Sequence, residues 1–203
     1  MQYNWINNVA DMSSDYTTIK FHDEFNQKIE PNTLPTKLIT LKFRYRFDQI
    51  LERNTLPENL TILTFGSNFN QIIEPNILPE NLITLTFRWD FNRKIDPKTL
   101  PDNLTTLTFE FSFNQIIEPN TLSCNLTSLT FIWRFNQKMQ PNILPSNLTF
   151  LIFGYDFNQK IEPNILPEKL TTLTFGFSFN QIIELNTLPG NLTSLLDIIL
   201  IKK

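Results

Sequence analysis

The residues of this chain repeat with a period of 22, and no other feature of the sequence restricts the fold as strongly. Residues 3 to 200 form nine consecutive blocks of that length. A unit this short cannot bury an apolar face alone, so the units must stack on one another. With Phe taken as position 1, the unit reads F-N-Q-x-I-E-P-N-x-L-P-x-N-L-T-x-L-T-F-x-[FWY]-x. Position 1 is Tyr3, Phe25, Phe47, Phe69, Phe91, Phe113, Phe135, Phe157 and Phe179. Position 19 is Phe21, Phe43, Phe65, Phe87, Phe109, Phe131, Phe153 and Phe175. A side chain that returns every 22 residues meets its own copy in the next coil, so these columns are expected to form ladders.

Positions 17, 19, 21 and the next 1 alternate apolar with polar or small residues, as in Leu107, Phe109, Phe111 and Phe113. That period of two predicts a strand with its aromatic side inward. It makes the position-21 aromatics Tyr45, Trp89, Phe111, Trp133, Tyr155 and Phe177 core residues, with Ser67 as the polar break and a local notch in their row. All 13 prolines fall at position 7 or 11, where each would interrupt a helix. The stretch between them, as at residues 163–167, predicts tight bends with positions 5 and 10 turned inward. The expected fold is mainly β: a single-domain solenoid of about nine 22-residue coils with a parallel β-sheet on one face and little or no long helix. Residues 1–24 hold a degenerate unit with a strand over 16–21 and are expected to cap the array. Residues 25–200 carry eight full repeats, and residues 201–203 form a tail. The last block has Asp197 at position 19, and residues 198–203 are expected to be frayed or capped by lysines.

Composition narrows function more than fold. A hydrophobic content of 41% supports a real core. A net charge of −3 lacks the basic surplus of nucleic-acid binders, so no nucleic-acid partner is expected. One cysteine, Cys124, and one histidine, His22, exclude an intrachain disulfide and leave little metal or acid–base chemistry. No cofactor is expected. The N-terminus lacks a basic stretch followed by an apolar run, and no segment approaches about 18 apolar residues. The expectation is a soluble, intracellular protein that does not engage a membrane.

The unit F-N-Q-K-I-E-P-N-I-L-P-E-K-L-T-T-L-T-F-G at residues 157–176 closely resembles the FNIP repeat, named for its F-N-x-x-I-x-P core. The resemblance covers almost the whole chain. FNIP repeats are in turn similar to leucine-rich repeats: Leu170-x-x-Leu173-x-Phe175 resembles the L-x-x-L-x-L strand segment, although Ser178 stands where those repeats usually have asparagine. The resemblance implies a solenoid with a parallel sheet on its concave side. It also implies an origin in social amoebae or in giant viruses that infect amoebae, and the intracellular location expected from the N-terminus is then the cytoplasm, that of the host cell if viral. Abundant Asn, Ile and Phe beside a single Ala10 and a single Val9 fit that coding bias. FNIP repeats commonly follow an F-box that recruits a ubiquitin ligase. Only 24 residues precede the first complete repeat here, too few for that helical domain, so the ubiquitin-ligase role is not carried over and a link to the ubiquitin pathway is left open by the sequence.

Candidate chemistry is sparse. A Cys124–His22 dyad needs contact within about 3 Å, yet the two residues lie five coils apart, roughly 24 Å at sheet spacing. The acidic column at position 6, including Glu30, Glu52, Asp96, Glu162 and Glu184, is expected to be a solvated ridge neutralised by Lys28, Lys94, Lys138 and Lys160. The asparagines at position 2, such as Asn70, Asn92 and Asn114, are expected to form a hydrogen-bond ladder between coils. The N-L-T sequons starting at Asn59, Asn103, Asn125, Asn147 and Asn191 read as by-products of the repeat.

The favoured function is a non-enzymatic scaffold for protein–protein interaction. Positions 20 and 22 vary most, and varying surface residues on a rigid repeat are where specificity resides. The candidate protein-binding face is Lys20, Lys42, Arg44, Arg46, Arg88, Asp90, Glu110, Arg134 and Asp156. Its basic first half suits an acidic or phosphorylated protein, because arginine forks pair such groups bidentately. Two alternatives stand beside it: ice or lattice binding by threonine pairs such as Thr84 and Thr86 or Thr172 and Thr174, and a carbohydrate platform if the position-21 aromatics are exposed. The sequence leaves the partner's identity and the oligomeric state open.

Overall fold

A computed structural model gives the fold of residues 4–184 and 187–197. Ten strands are present among them: β1 (Asn4–Ile6), β2 (Thr18–Phe21), β3 (Thr40–Lys42), β4 (Ile62–Thr64), β5 (Thr84–Phe87), β6 (Thr106–Phe109), β7 (Ser128–Phe131), β8 (Phe150–Ile152), β9 (Thr172–Phe175) and β10 (Ser194–Asp197). They form one parallel sheet in chain order, as the period-two pattern and the prolines predict. The 22-residue register is kept from β2 to β10, with Leu85 beside Leu107 and Leu107 beside Leu129. β1 is an addition to the sequence reading. It pairs Asn4 with Ile19, and the first block returns through a short 3-10 turn at Val9–Asp11, where the Asn8 side chain accepts the Ala10 N–H at 3.0 Å. The Tyr3 ring and residues 198–203 lie outside the described residues.

The strands of the repeats end at position 18 or 19, earlier than expected. The chain then bends over positions 20–22 and re-enters the core at position 1. Phe109 is 2% exposed and Phe113 is 3% exposed, and their rings stack with centroids 3.9 Å apart. The same intracoil pair recurs from Phe21–Phe25 at 3.7 Å to Phe175–Phe179 at 3.9 Å. Between coils, successive position-19 rings stand 5.4 Å apart at Phe87–Phe109 and 5.5 Å apart at Phe109–Phe131. Burial of each ring contributes about 1.5–3 kcal/mol, and favourable ring geometry adds about 0.5–1.5 kcal/mol. The position-17 leucines, the position-14 leucines and residues such as Ile161 and Leu166 fill the rest of the core.

The three-residue bend overturns one expectation. Position 21 lies outside: Tyr45, Trp89, Trp133, Tyr155 and Phe177 are exposed and Phe111 is half-buried. Counting by two from position 19 requires a continuous strand, and the bend rotates the side chain at 21 away before the chain turns inward again. Ser67 is the one member of that row that is buried, at 7% exposure.

The return segment is built from two turns, as the prolines predict. In the first, the position-6 carbonyl accepts the position-9 N–H, as Glu30 does from Thr33 at 3.3 Å. Proline second and a positive-φ residue third is the type II arrangement. That third residue is asparagine at 32, 54, 76, 120, 142 and 164, with φ between 61° and 65°. Asparagine tolerates this left-handed conformation, whereas Lys98 holds φ 68° in the same place without that advantage. Lys98→Asn is therefore expected to raise stability by roughly 0.5–1 kcal/mol, seen as a higher midpoint in urea unfolding.

Polar columns lock the coils together. The Asn92 side-chain oxygen accepts the Asn114 backbone N–H at 2.9 Å and the Gln115 side-chain N–H at 3.0 Å. The pattern continues through Asn114, Asn136 and Asn158 to Asn180, confirming the expected ladder. Both polar residues of the N-L-T sequences are also committed to the preceding coil: Asn147 Nδ2 donates to the Cys124 carbonyl at 3.0 Å and Thr149 Oγ1 to the Thr127 carbonyl at 3.1 Å. Spacing by 22 thus satisfies side chains that a lone coil would leave to water.

Candidate functional site

The sheet face displays positions 16 and 18 of every strand, bordered by positions 20 to 22 of the bend. Side chains there depend on what the coil places at position 20. Arg44, Arg88 and Glu110 stand there in the first half of the array, while Gly154 and Gly176 stand there in the second. The two halves consequently differ in shape and charge.

In the first half, Trp5, Lys20, Lys42, Arg44, Thr64, Thr86, Arg88 and Glu110 line a hollow of about 330 Å³. Its floor is the threonines of β4 and β5. Gly66 occupies position 20 between Arg44 and Arg88, and a Cβ there would stand 2.6 Å from the Arg44 carbonyl oxygen. Arg44 leans away from this gap, its Nε 2.9 Å from Asp23 Oδ1 and its guanidinium 5.3 Å from the Trp5 ring centre. Lys20 Nζ sits 5.7 Å from the same ring centre. Arg88 leans the other way, to Glu110 at 3.3 Å, and Arg46 on the bend pairs with Glu24 at 2.9 Å.

The structure therefore brings Lys20, Lys42, Arg44 and Arg88 of the candidate face around one hollow, together with Glu110. It leaves the others outside it. Arg46, Asp90, Arg134 and Asp156 lie at position 22, and Arg134 covers Phe111 with its guanidinium 5.1 Å from the ring centre. Trp5 was missed by the sequence reading because it belongs to β1, which follows no repeat. The acids that face Arg44 and Arg46 were missed for the same reason: Asp23 and Glu24 close the degenerate first block.

From Trp89 onward a ladder of rings, all exposed except the half-buried Phe111, borders the face. Trp89, Phe111, Trp133, Tyr155 and Phe177 stack in sequence, with centroid separations of 5.0, 5.4, 4.7 and 5.2 Å. Beside the last three rings, Ile132, Ile152, Gly154, Thr174 and Gly176 complete a hollow of about 320 Å³ with no charged residue in its lining. A Cβ on Gly154 would collide with the Ile132 carbonyl, and one on Gly176 with the Gly154 carbonyl. Close backbone approach between coils thus demands glycine, and the missing side chains open the hollow.

The remaining candidates take structural places. His22 is half-buried with its ring centre 5.1 Å from that of Trp5, and Cys124 is exposed on a turn five coils away. The position-6 acids form a ridge bridged by lysines: Lys28 contacts Glu30 and Glu52, and Lys160 contacts Glu162 and Glu184. Hydrogen bonds donated by Lys28 to the Glu52 and Glu30 carboxylates raise its pKa, and those donated by Lys160 to Glu184 and Glu162 do the same. The threonine rows are interrupted where Ile62 adjoins Thr40 and Thr84, and where Phe150 adjoins Ser128 and Thr172. Among the described residues, no helix is long and apolar enough to cross a membrane, and no three His, Cys, Asp or Glu side chains gather as a metal site.

The profile of the FNIP Repeat family matches residues 16–46, 47–88, 69–112, 113–156 and 157–196. No curated protein matches the chain. Among solved structures, the chain is similar to "The crystal structure of CroV588 a novel circular LRR protein structure", at 46% identity and a TM-score of 0.91. That match covers 93% of this chain and 28% of the other, so this chain spans little more than a quarter of its neighbour's length.

Proposed function

The chain belongs to the FNIP repeat family, and on that premise we propose that it is a non-enzymatic scaffold whose sheet face binds an acidic or phosphorylated protein in the cytoplasm. The observation that carries this reading is the hollow ringed by Lys20, Lys42, Arg44 and Arg88. Arg44 and Arg46 are paired with Asp23 and Glu24, and both pairs are solvent-exposed. Exposed pairs of this kind contribute about 0–1 kcal/mol, so a partner's carboxylate or phosphate exchanges for them at little cost. A bidentate contact to a second oxyanion is stronger than either. Kin among leucine-rich solenoids supports a binding role for the face, and the rigid stacking of coils holds its side chains in fixed register.

A carbohydrate platform is the weaker reading. Most position-21 rings are exposed as that reading requires, but the inner rings Phe111, Trp133 and Tyr155 are stacked on both faces and so turn their edges to the surface, and a platform needs a row of open faces. Sugars stack on ring faces. Lattice binding by threonine is disfavoured by the apolar breaks at Ile62 and Phe150.

Reversing Arg44 and Arg46 to glutamate together is expected to slow association with an acidic partner about tenfold at low salt, with a smaller loss at high salt. Surface association kinetics at two salt concentrations, with circular dichroism as the folding control, checks this. Unchanged association by a folded double variant would return these arginines to the role of ordinary solvated surface.

A further inference from the structure

Resting on the protein-binding reading above, we infer that the face takes one extended partner segment with two anchors: an acidic group over the cationic hollow and a large apolar side chain in the hollow beside Trp133, Tyr155 and Phe177. Both hollows are framed by the same rows of the sheet, positions 18 and 20, so one ligand lying along the array reaches both. Their chemistry is opposed. The first holds four cations and one carboxylate, Glu110, while the second has no charged lining and is walled by Trp133, Tyr155 and Phe177, which are 39%, 39% and 62% exposed.

The second hollow exists because coil packing requires glycine at 154 and 176, and it is shaped for an apolar guest. Ile152 and Ile132 supply aliphatic walls, and the ring edges at position 21 supply positively polarised C–H groups that favour the face of a partner's aromatic side chain. Leaving this surface in water is unfavourable, and burying it against a single Phe, Trp or Leu removes the apolar area from solvent. Trp133 and Tyr155 are stacked on both faces and offer a sugar no ring face here. Among the described residues no second cationic cluster lies beside this hollow, so the acidic end of the segment is drawn to the other one, which sets its direction on the array.

Geometry sets the spacing. The first hollow centres near β4 and the second near β8, four coils apart, on the order of 20 Å at strand spacing. An extended chain covers that span in about six residues at roughly 3.3 Å each.

The test is selection of a displayed library of random peptides, longer than this span, against the full chain. The expected consensus pairs acidic residues with a large apolar residue about six positions away. Binding of a selected peptide should fall at least tenfold in a Tyr155→Ser/Phe177→Ser variant at low and high salt alike, and in Arg44→Glu/Arg46→Glu chiefly at low salt. Both position-21 residues are exposed, and circular dichroism confirms the fold of each variant. An acidic consensus insensitive to the Tyr155 and Phe177 substitutions overturns the two-anchor inference while leaving the acidic-partner reading in place. An apolar consensus insensitive to charge reversal overturns both. Failure to enrich any peptide also overturns the inference.

Discussion

Phe109→Ala is expected to lower stability by about 3–5 kcal/mol, the cost of truncating a fully packed phenylalanine. Its ring lies against Phe113 and between Phe87 and Phe131 of the neighbouring coils, so three packed rings border the cavity. For a chain of this size that loss corresponds to a fall in melting temperature of about 10 °C. Phe177→Ala, on the exposed ladder, should cost no more than about 1 kcal/mol. Thermal denaturation followed by circular dichroism separates the two. Equal effects at the two positions would mean that the inner and outer ring columns have been assigned to the wrong sides of the bend.

The second large effect is expected at a residue with no side chain. Gly176→Ala places a methyl group against the Gly154 carbonyl and the Tyr155 Cα. These are backbone atoms of the adjoining coil, held by the Ser178 N–H bond to the Tyr155 carbonyl at 2.9 Å, and no rotamer change relieves the clash. The coils must move apart, at a cost of about 3 kcal/mol, the upper range for overpacking. Gly190 provides the contrast. A Cβ there meets nothing, and the residue does not use a positive φ, so Gly190→Ala is expected to stabilise by roughly 0.4–1 kcal/mol through the unfolded chain. Urea unfolding of both variants measures the difference, and a destabilisation of Gly190→Ala equal to that of Gly176→Ala would contradict this account of coil spacing.

Most of the architecture was legible in the sequence because the columns that build it are nearly pure. Positions 1 and 19 keep an aromatic ring in coil after coil, and the prolines at 7 and 11 permit only turns. Position 21 was misread because a bend repeated every 22 residues is invisible to a count by two. A signal was nevertheless present: the column changes from Tyr45 to Ser67 to Trp89, whereas positions 1 and 19 of the same coils stay phenylalanine. A packed ladder does not tolerate serine between two large rings, but a surface row does. Glycine at 66, 154 and 176 was a second signal, marking close backbone approach. The candidate face was legible only as a list of charges. Which cations share a hollow depends on which way each side chain leans, and the acids and the indole that decide this sit in the degenerate first block.

All three indoles of this protein, Trp5, Trp89 and Trp133, are on the outer surface, at 45%, 55% and 39% exposure. Each indole is already partly in contact with water in the native state, so unfolding is expected to shift the emission less than it would for a buried indole. Docking does the reverse. Trp5 borders the cationic hollow and Trp133 the apolar one, so a ligand that displaces water from either blue-shifts or quenches a native chromophore. The optical signal usually used to follow denaturation is, in this molecule, a built-in reporter of occupancy, and Trp5→Phe and Trp133→Phe variants tell which end of the face has been filled.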